Sequence, residues 1–378
     1  MRPVQDSGHI RALDGIRGLS LLFVVAYHEQ RISPYLHLNG FLTKLLMTGW
    51  IGVDIFFVLS GFLITTILLD AREARNYFKV FYIRRGLRIL PLYYAVLIIS
   101  LLSHPGHIGF GVQIFFWLNL SNLSTAFAPY AIPYLAHFWS LAIEEQFYFV
   151  WPAVVRRVNP RTIAYICGGV IVGLFVVRNL TPILALQDRW PEFIYRLTPF
   201  RVDTLCGGAL LALIAKYFPS LLTHRISLRI AFLSSALVFL VAGFGRDHTS
   251  TSLTRFGYTA LVLCGTSLVG LALNPNGLVA RFFSNAFLRK TGKYSYCFYL
   301  IHTFVLAYFT AHHGFLLRTL RAMRLPNMSG NRTELITIIL ELAAIYGICA
   351  LSWNFFEGPL LRLKRHFRYN PVPEHYLA

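Results

Sequence analysis

What constrains this chain most is the spacing of its apolar runs. Segments close to residues 15–31, 48–69, 86–103, 138–155, 162–178, 200–215, 228–244, 256–273, 294–312 and 335–356 are each long and apolar enough to cross a bilayer, or nearly so. A helix spans the hydrocarbon core in about 20 residues. With no water in that core, the backbone of such a segment has to satisfy its own hydrogen bonds, as a helix does. The composition asks for the same solvent: hydrophobic residues make up 56% of the 378, charged residues 13%, and the mean hydropathy is +0.56. A soluble domain carries about 25% charged residues. The expected fold is all-α, a polytopic membrane helical bundle of about ten transmembrane helices.

The basic residues orient this bundle. "AREARNYFKVFYIRRGLR" holds six Lys and Arg between Arg72 and Arg88, which the positive-inside rule places in the cytoplasm. No further Lys or Arg appears until Arg156. The apolar stretch 107–120, "HIGFGVQIFFWLNL", is too short to span and is therefore expected to be re-entrant or interfacial. With ten spans and both termini cytoplasmic, 23 of the 35 Lys and Arg fall on the inner side and 12 on the outer. The net charge of +19 thus lies in short clusters between apolar segments and sets topology; no nucleic-acid partner is expected. Leu19–Tyr27 is short enough for a signal-peptide core, but no small-x-small cleavage site follows "VAYHEQR". The five cysteines all lie within apolar segments at no metal-ligand spacing, so neither a disulfide framework nor a metal site is expected. One membrane domain over 1–378, with a short cytoplasmic tail at 358–378, accounts for the chain.

Ionisable side chains inside apolar spans are costly and usually functional. In "RGLSLLFVVAYH", Arg17 and His28 stand eleven positions apart. On a helix that is three turns with about 20° left over, so both leave one face about 16 Å apart. A cation on the same face favours the neutral imidazole that a general base needs. Asp54 lies in the second span. "HFWSLAIEEQFYFVW" brings His137, Glu144, Glu145 and Tyr148, of which Glu144 and Tyr148 point within about 20° of His137 on a helical wheel. "KYSYCFYLIH" sets Ser295, Tyr299 and His302 on another face, and "FFEGPL" supplies Glu357 near the inner end of the last span. Each also has a structural reading. A His or Tyr in a span can simply hydrogen-bond between helices, and Glu144 or Glu145 can pair with an arginine to stay buried.

"YIRRGLRILPLYY" places Arg85 and Arg88 at i and i+3 on one face where the third span begins, with Arg84 one residue back. Such a fork geometry suits phosphates, although basic residues at an inner helix end also anchor to anionic headgroups. No G-x-S-x-G elbow, G-x-x-x-x-G-K-[ST] loop or H-E-x-x-H helix is present, so serine hydrolase, NTPase and zinc protease chemistry lack their usual signatures.

Seven stretches, taken in order, resemble the signature blocks of the membrane acyltransferase-3 family, the bacterial integral-membrane O-acyltransferases. They are "LDGIRGLSLLFVVAYH", "GWIGVDIFFVLSGFLIT", "FYIRRGLRILPLYY", "HFWSLAIEEQFYFVWP", "FRVDTLCGGALLA", "KYSYCFYLIH" and "FFEGPL", covering 13–359. The resemblance implies an Arg-x10-His motif on Arg17 and His28, the histidine being catalytic, and an Arg-x-x-Arg motif on Arg85 and Arg88 that serves the acyl-CoA donor, with Arg84 alongside. Glu145 matches the family's "EEQFY" glutamate, and Tyr299 and His302 its late "YLxH" block. Glu29 departs from the pattern, standing where an apolar or small residue is usual. The implied function is transfer of an acyl group, acetyl above all, from cytoplasmic acyl-CoA to a hydroxyl of a saccharide, a lipid-linked glycan or a small hydroxylated acceptor. Acyl-CoA would be a co-substrate, with no cofactor tightly bound, and the setting the bacterial inner membrane and its lipid. Read from the residues alone, a proton-coupled secondary transporter of a small polar solute stays open, although no repeated halves with broken helices are visible.

Overall fold

A computed structural model describes residues 10–32, 39–103, 108–127, 134–180, 190–322 and 330–370. Among them every regular element is helical. The chain opens with α1 (Arg11–Ile32), α2 (Gly40–Met47) and α3 (Gly52–Asp70), followed by α4 (Tyr77–Ser103), α5 (Phe110–Trp117) and α6 (Ser121–Phe127). Then come α7 (Phe138–Arg157), α8 (Pro160–Leu180), α9 (Trp190–Arg196), α10 (Val202–Tyr217), α11 (Arg225–Gly243) and α12 (Tyr258–Ala272). The last are α13 (Leu278–Phe283), α14 (Ala286–Ala311), α15 (His313–Ala322), α16 (Gly330–Ser352) and the short α17 (Gly358–Arg362), which follows a π-helical turn over Trp353–Glu357.

A helix occupies each of the ten apolar segments, and six of the described helical stretches are long and apolar enough to cross a membrane. The chain is an all-helical, multi-pass membrane protein. The long helices α1, α7 and α14 are absent from those six, and they carry the polar side chains His28, Glu144, Glu145, Lys293 and His302. Polar groups reduce a helix's apolarity and favour the bundle interior. By contrast, α8, α11 and α16 bury little of themselves and present Val172, Val241 and Leu351 outward, as a lipid-facing helix does.

Within 107–120, the eight-residue α5 rises only about 12 Å and so does not span by itself, as the length of that stretch implied. One difference from the sequence reading bears on the site. Helix α4 starts at Tyr77, well before its apolar run, because Lys79 and Arg84 can extend their heads to water while their stems stay on the helix. Arg85 and Arg88 therefore sit two turns or more inside a continuous helix and not at its start.

Close backbone approach fixes α1 against α14, the most extensive helix pairing in the fold. A Cβ at Gly18 would overlap the carbonyl oxygen of Leu288, and one at Gly292 that of Asp14. Small residues at such crossings let two membrane helices pack backbone to backbone. Two fully buried ion pairs link other helices in a different way: Arg201 Nη2 to Asp54 Oδ1 at 2.6 Å ties the start of α10 to α3, and Arg178 Nη1 to Asp203 Oδ2 at 2.7 Å ties α8 to α10. Both guanidinium groups also lie over the ring of Tyr258, at 4.6 and 5.3 Å. Beyond the spans, Glu192 on α9 pairs with Arg196 at 2.7 Å and His248 at 3.4 Å. Burial opposes ionisation of Glu192, but the His248 hydrogen bond and the Arg196 charge prevail and hold its carboxyl down to about 2.

Candidate active site

Helices α1, α3, α4, α7 and α14 surround a cavity of about 450 Å³. One end is charged. Arg17 from α1, Arg85 and Arg88 from α4, Lys293 from α14 and Lys364 beyond α17 all line it, together with Asp14 and Glu357. Arg17 reaches Asp14 at 3.5 Å, Ser352 Oγ donates to Glu357 Oε1 at 2.9 Å, and the Lys293 ammonium stands 4.5 Å over the Trp353 ring. Five cations against two carboxylates at one mouth suit an anionic ligand. Arg88, which keeps an exposed surface, is available to such a ligand.

Midway along the cavity the two carboxylates of α7 behave differently. Glu144 Oε1 accepts from Ser60 Oγ at 2.5 Å, and Ser60 Oγ in turn accepts from Tyr148 OH at 2.8 Å. The Arg85 guanidinium lies 4.1 Å over the Tyr148 ring. This chain ties α3, α4 and α7 together across the cavity. Glu145 lines the same cavity without being part of that hydroxyl chain.

The far end is closed by two hydroxyls. Tyr299 OH donates to the His137 carbonyl at 2.9 Å and meets Ser140 Oγ at 2.7 Å. Behind that wall three imidazoles converge. His28 Nδ1 lies 2.8 Å from the Val24 carbonyl and His302 Nδ1 lies 2.7 Å from the Tyr299 carbonyl. A carbonyl can only accept, so both Nδ1 atoms carry the proton. His302 Nε2 then faces His28 Nδ1 at 3.4 Å as an acceptor. The Nε2 atom of His28 is left as its basic nitrogen. His137 completes the group, its ring centroid 4.9 Å from that of His302 and 6.4 Å from that of His28. Among the described residues no set of three or more His, Cys, Asp or Glu side chains is arranged to hold a metal ion.

Of the residues singled out in the sequence, Arg17, Arg85, Arg88, Glu145 and Tyr299 line one cavity, while His28 and His302 meet each other just past its end. Arg84 is not among the residues that line the cavity. Arg17 does not neighbour His28: it is engaged with Asp14 three turns away, and imidazoles surround His28 instead. Asp54 departs from the polar cluster, being spent on Arg201. Three further contributors join them: His137, which the sequence places in a polar stripe with Glu144 and Tyr148, and Lys293 and Lys364, which no motif in the sequence marks.

Fold and site together define a multi-pass membrane protein with a charged interior chamber that leads to a histidine cluster. The chain belongs to the acyltransferase 3 family, described as an acyltransferase domain, which matches residues 10–353. It is 31% identical over 383 residues to the peptidoglycan O-acetyltransferase OatA of Listeria monocytogenes, covering 93% of this chain and 56% of that protein. It is 29% identical over 334 residues to the O-acetyltransferase OatA of Staphylococcus aureus, covering 81% and 52% respectively. The chain thus spans about half the length of these relatives. No solved structure matches it.

Proposed function

We propose that this protein transfers an acetyl group from acetyl-CoA to a hydroxyl of a cell-envelope glycan, peptidoglycan in the first instance, in the bacterial inner membrane. The observation that carries this reading is a cavity with arginines at one end and Tyr299 at the other, with three histidines grouped just behind that tyrosine. With both termini cytoplasmic, the arginine mouth opens to the compartment that supplies acyl-CoA. Arg85 and Arg88 then bind donor phosphates by charge-assisted hydrogen bonds, Arg17 flanks them, and the pantetheine arm extends along the cavity past Glu145. The thioester arrives beside Tyr299 and the imidazoles. His28 Nε2 takes the proton of the acceptor hydroxyl, and that oxygen attacks the thioester carbonyl. The C–S bond breaks, and the departing thiolate takes up the proton from the His28 imidazolium, leaving CoA as the free thiol. Tyr299 OH, by turning its proton from the His137 carbonyl, is the donor that can steady the transient oxyanion. The names of the OatA relatives support acetyl as the group and peptidoglycan as the acceptor.

Slow turnover of radiolabelled acetyl-CoA by purified protein in lipid nanodiscs, with a membrane extract as acceptor source, tests this. Thioester loss should vanish in His28→Ala with donor binding retained, and donor binding should weaken in Arg85→Ala/Arg88→Ala. Absence of His28-dependent turnover, combined with solute uptake that collapses with the proton gradient, would overturn the proposal in favour of transport.

A further inference from the structure

The charged mouth continues into a second concavity. Trp353 and Leu361 line the main cavity and also an open groove of about 340 Å³, whose other walls are Asn354, Gly358 and Arg362. The π-helical turn that ends the last long helix, Trp353–Glu357, makes this groove. It holds the Gly358 backbone so near the Trp353 carbonyl that a Cβ at 358 would come within 2.5 Å of the oxygen and 3.9 Å of the indole nitrogen. A side chain there would crowd the floor of the groove. Isolated π-helical turns in membrane and soluble helices are often found at functional sites.

Assuming the donor assignment above, on which this inference rests, we propose that the groove is the seat of the adenosine 3′-phosphate end of coenzyme A. Each part of that group has a counterpart. The Lys293 ammonium occupies one face of the Trp353 indole, 4.5 Å from its centre, and a purine stacks on an aromatic face without needing a particular sequence of partners. Asn354 offers the amide that pairs with the N6 and N7 edge of adenine. Arg362 offers a guanidinium fork for a phosphomonoester. The interior cavity is a poor alternative for the nucleotide, because Glu144 and Glu145 line its middle and would repel phosphates. Because Trp353 and Leu361 belong to both spaces, a donor seated in the groove passes its diphosphate directly to the arginine mouth and its arm into the cavity.

Equilibrium binding to the full chain in nanodiscs of uncharged lipid tests this, with coenzyme A, 3′-dephospho-coenzyme A and 4′-phosphopantetheine as probes. Wild type should prefer coenzyme A over the dephospho form by about tenfold, and Arg362→Gln should reduce that preference to within about twofold. Trp353→Leu should weaken both nucleotides by about tenfold while leaving 4′-phosphopantetheine in place, and Trp353→Phe should restore most of the loss. Retained 4′-phosphopantetheine binding shows that a variant is folded. A preference untouched by Arg362→Gln overturns the assignment, as does equal weakening of all three probes by Trp353→Leu. If Arg362→Gln changes only the response to added anionic lipid, the groove holds a lipid headgroup and the assignment is also overturned. Wild type that binds coenzyme A alongside unaffected variants refutes the groove alone. Wild type that binds none of the probes refutes the donor assignment with it.

Discussion

Replacing Gly18 by alanine should slow acyl transfer without touching any group that meets substrate. A Cβ at this position would lie 3.0 Å from both the Leu288 carbonyl carbon and the Gly292 nitrogen, and closer still to the Leu288 oxygen. Ordinary contact begins at 3.4 Å. The obstacles are backbone atoms, so no rotamer change relieves them, and α1 has to part from α14 by on the order of 1 Å. His28 rides on α1 and His302 on α14, with their nitrogens 3.4 Å apart; a shift of that size breaks the pair. Misplacement by about 1 Å can cost about 100-fold in rate, and overpacking about 1–3 kcal/mol in stability. The assay is kcat for acetyl transfer in nanodiscs together with thermal unfolding, using Gly168→Ala as control, since nothing lies within 4 Å of a Cβ there. A Gly18→Ala protein that stays folded and keeps kcat within a few-fold of the control would refute the claim that this crossing sets the histidine geometry.

Three further outcomes follow from contacts already described. Asp54→Asn leaves the buried Arg201 charge uncompensated and should destabilise the fold by about 3–5 kcal/mol, whereas Asp54→Leu/Arg201→Met should recover most of that loss, as read by thermal unfolding. Tyr299→Phe removes the hydroxyl that bonds Ser140 and the His137 carbonyl and should lower kcat by about tenfold with little change in KM for acetyl-CoA; a larger effect on KM than on kcat would contradict its place at the reacting end. Glu192 is held at about 2 against an ordinary 4.5, so its contribution to stability is complete above 4.5 and lost as pH falls through about 2. The advantage of wild type over Glu192→Gln in thermal unfolding should therefore shrink steadily on acidification through that window, and a constant difference would argue against the His248 and Arg196 clamp.

Much of this was legible in the sequence because hydropathy is a property of one helix at a time. The ten apolar segments, the short 107–120 stretch and the one-face spacing of Arg85 and Arg88 all needed only residue order and helical period. Contacts between helices were not legible in that way. Nothing near Asp54 announces Arg201, which is 147 positions away, so Asp54 looked like one more member of a polar site. His137 pointed along a stripe with Glu144 and Tyr148, yet it precedes α7 and its ring turns to α14. Arg17 pairs with Asp14 only three residues away, a contact that the helical spacing from Arg17 to His28 does not reveal. Lys293 and Lys364 acquire meaning only when the two ends of the chain's last third fold against the same mouth.

The two buried ion pairs also impose an order on how the protein is made. Arg178 and Asp203 are separated by 25 residues, so α8 and α10 can neutralise each other almost as soon as the second emerges. Asp54 has no such luck: its arginine is synthesised 147 residues later, roughly 7–30 s at ordinary elongation rates. A lone carboxylate at the centre of a bilayer costs about 2.5–3.5 kcal/mol on the insertion scale, and Asp54 lies near the middle of the continuous helical stretch Gly40–Asp70. That cost stands until Arg201 arrives, so α3 should be the last of the early helices to settle.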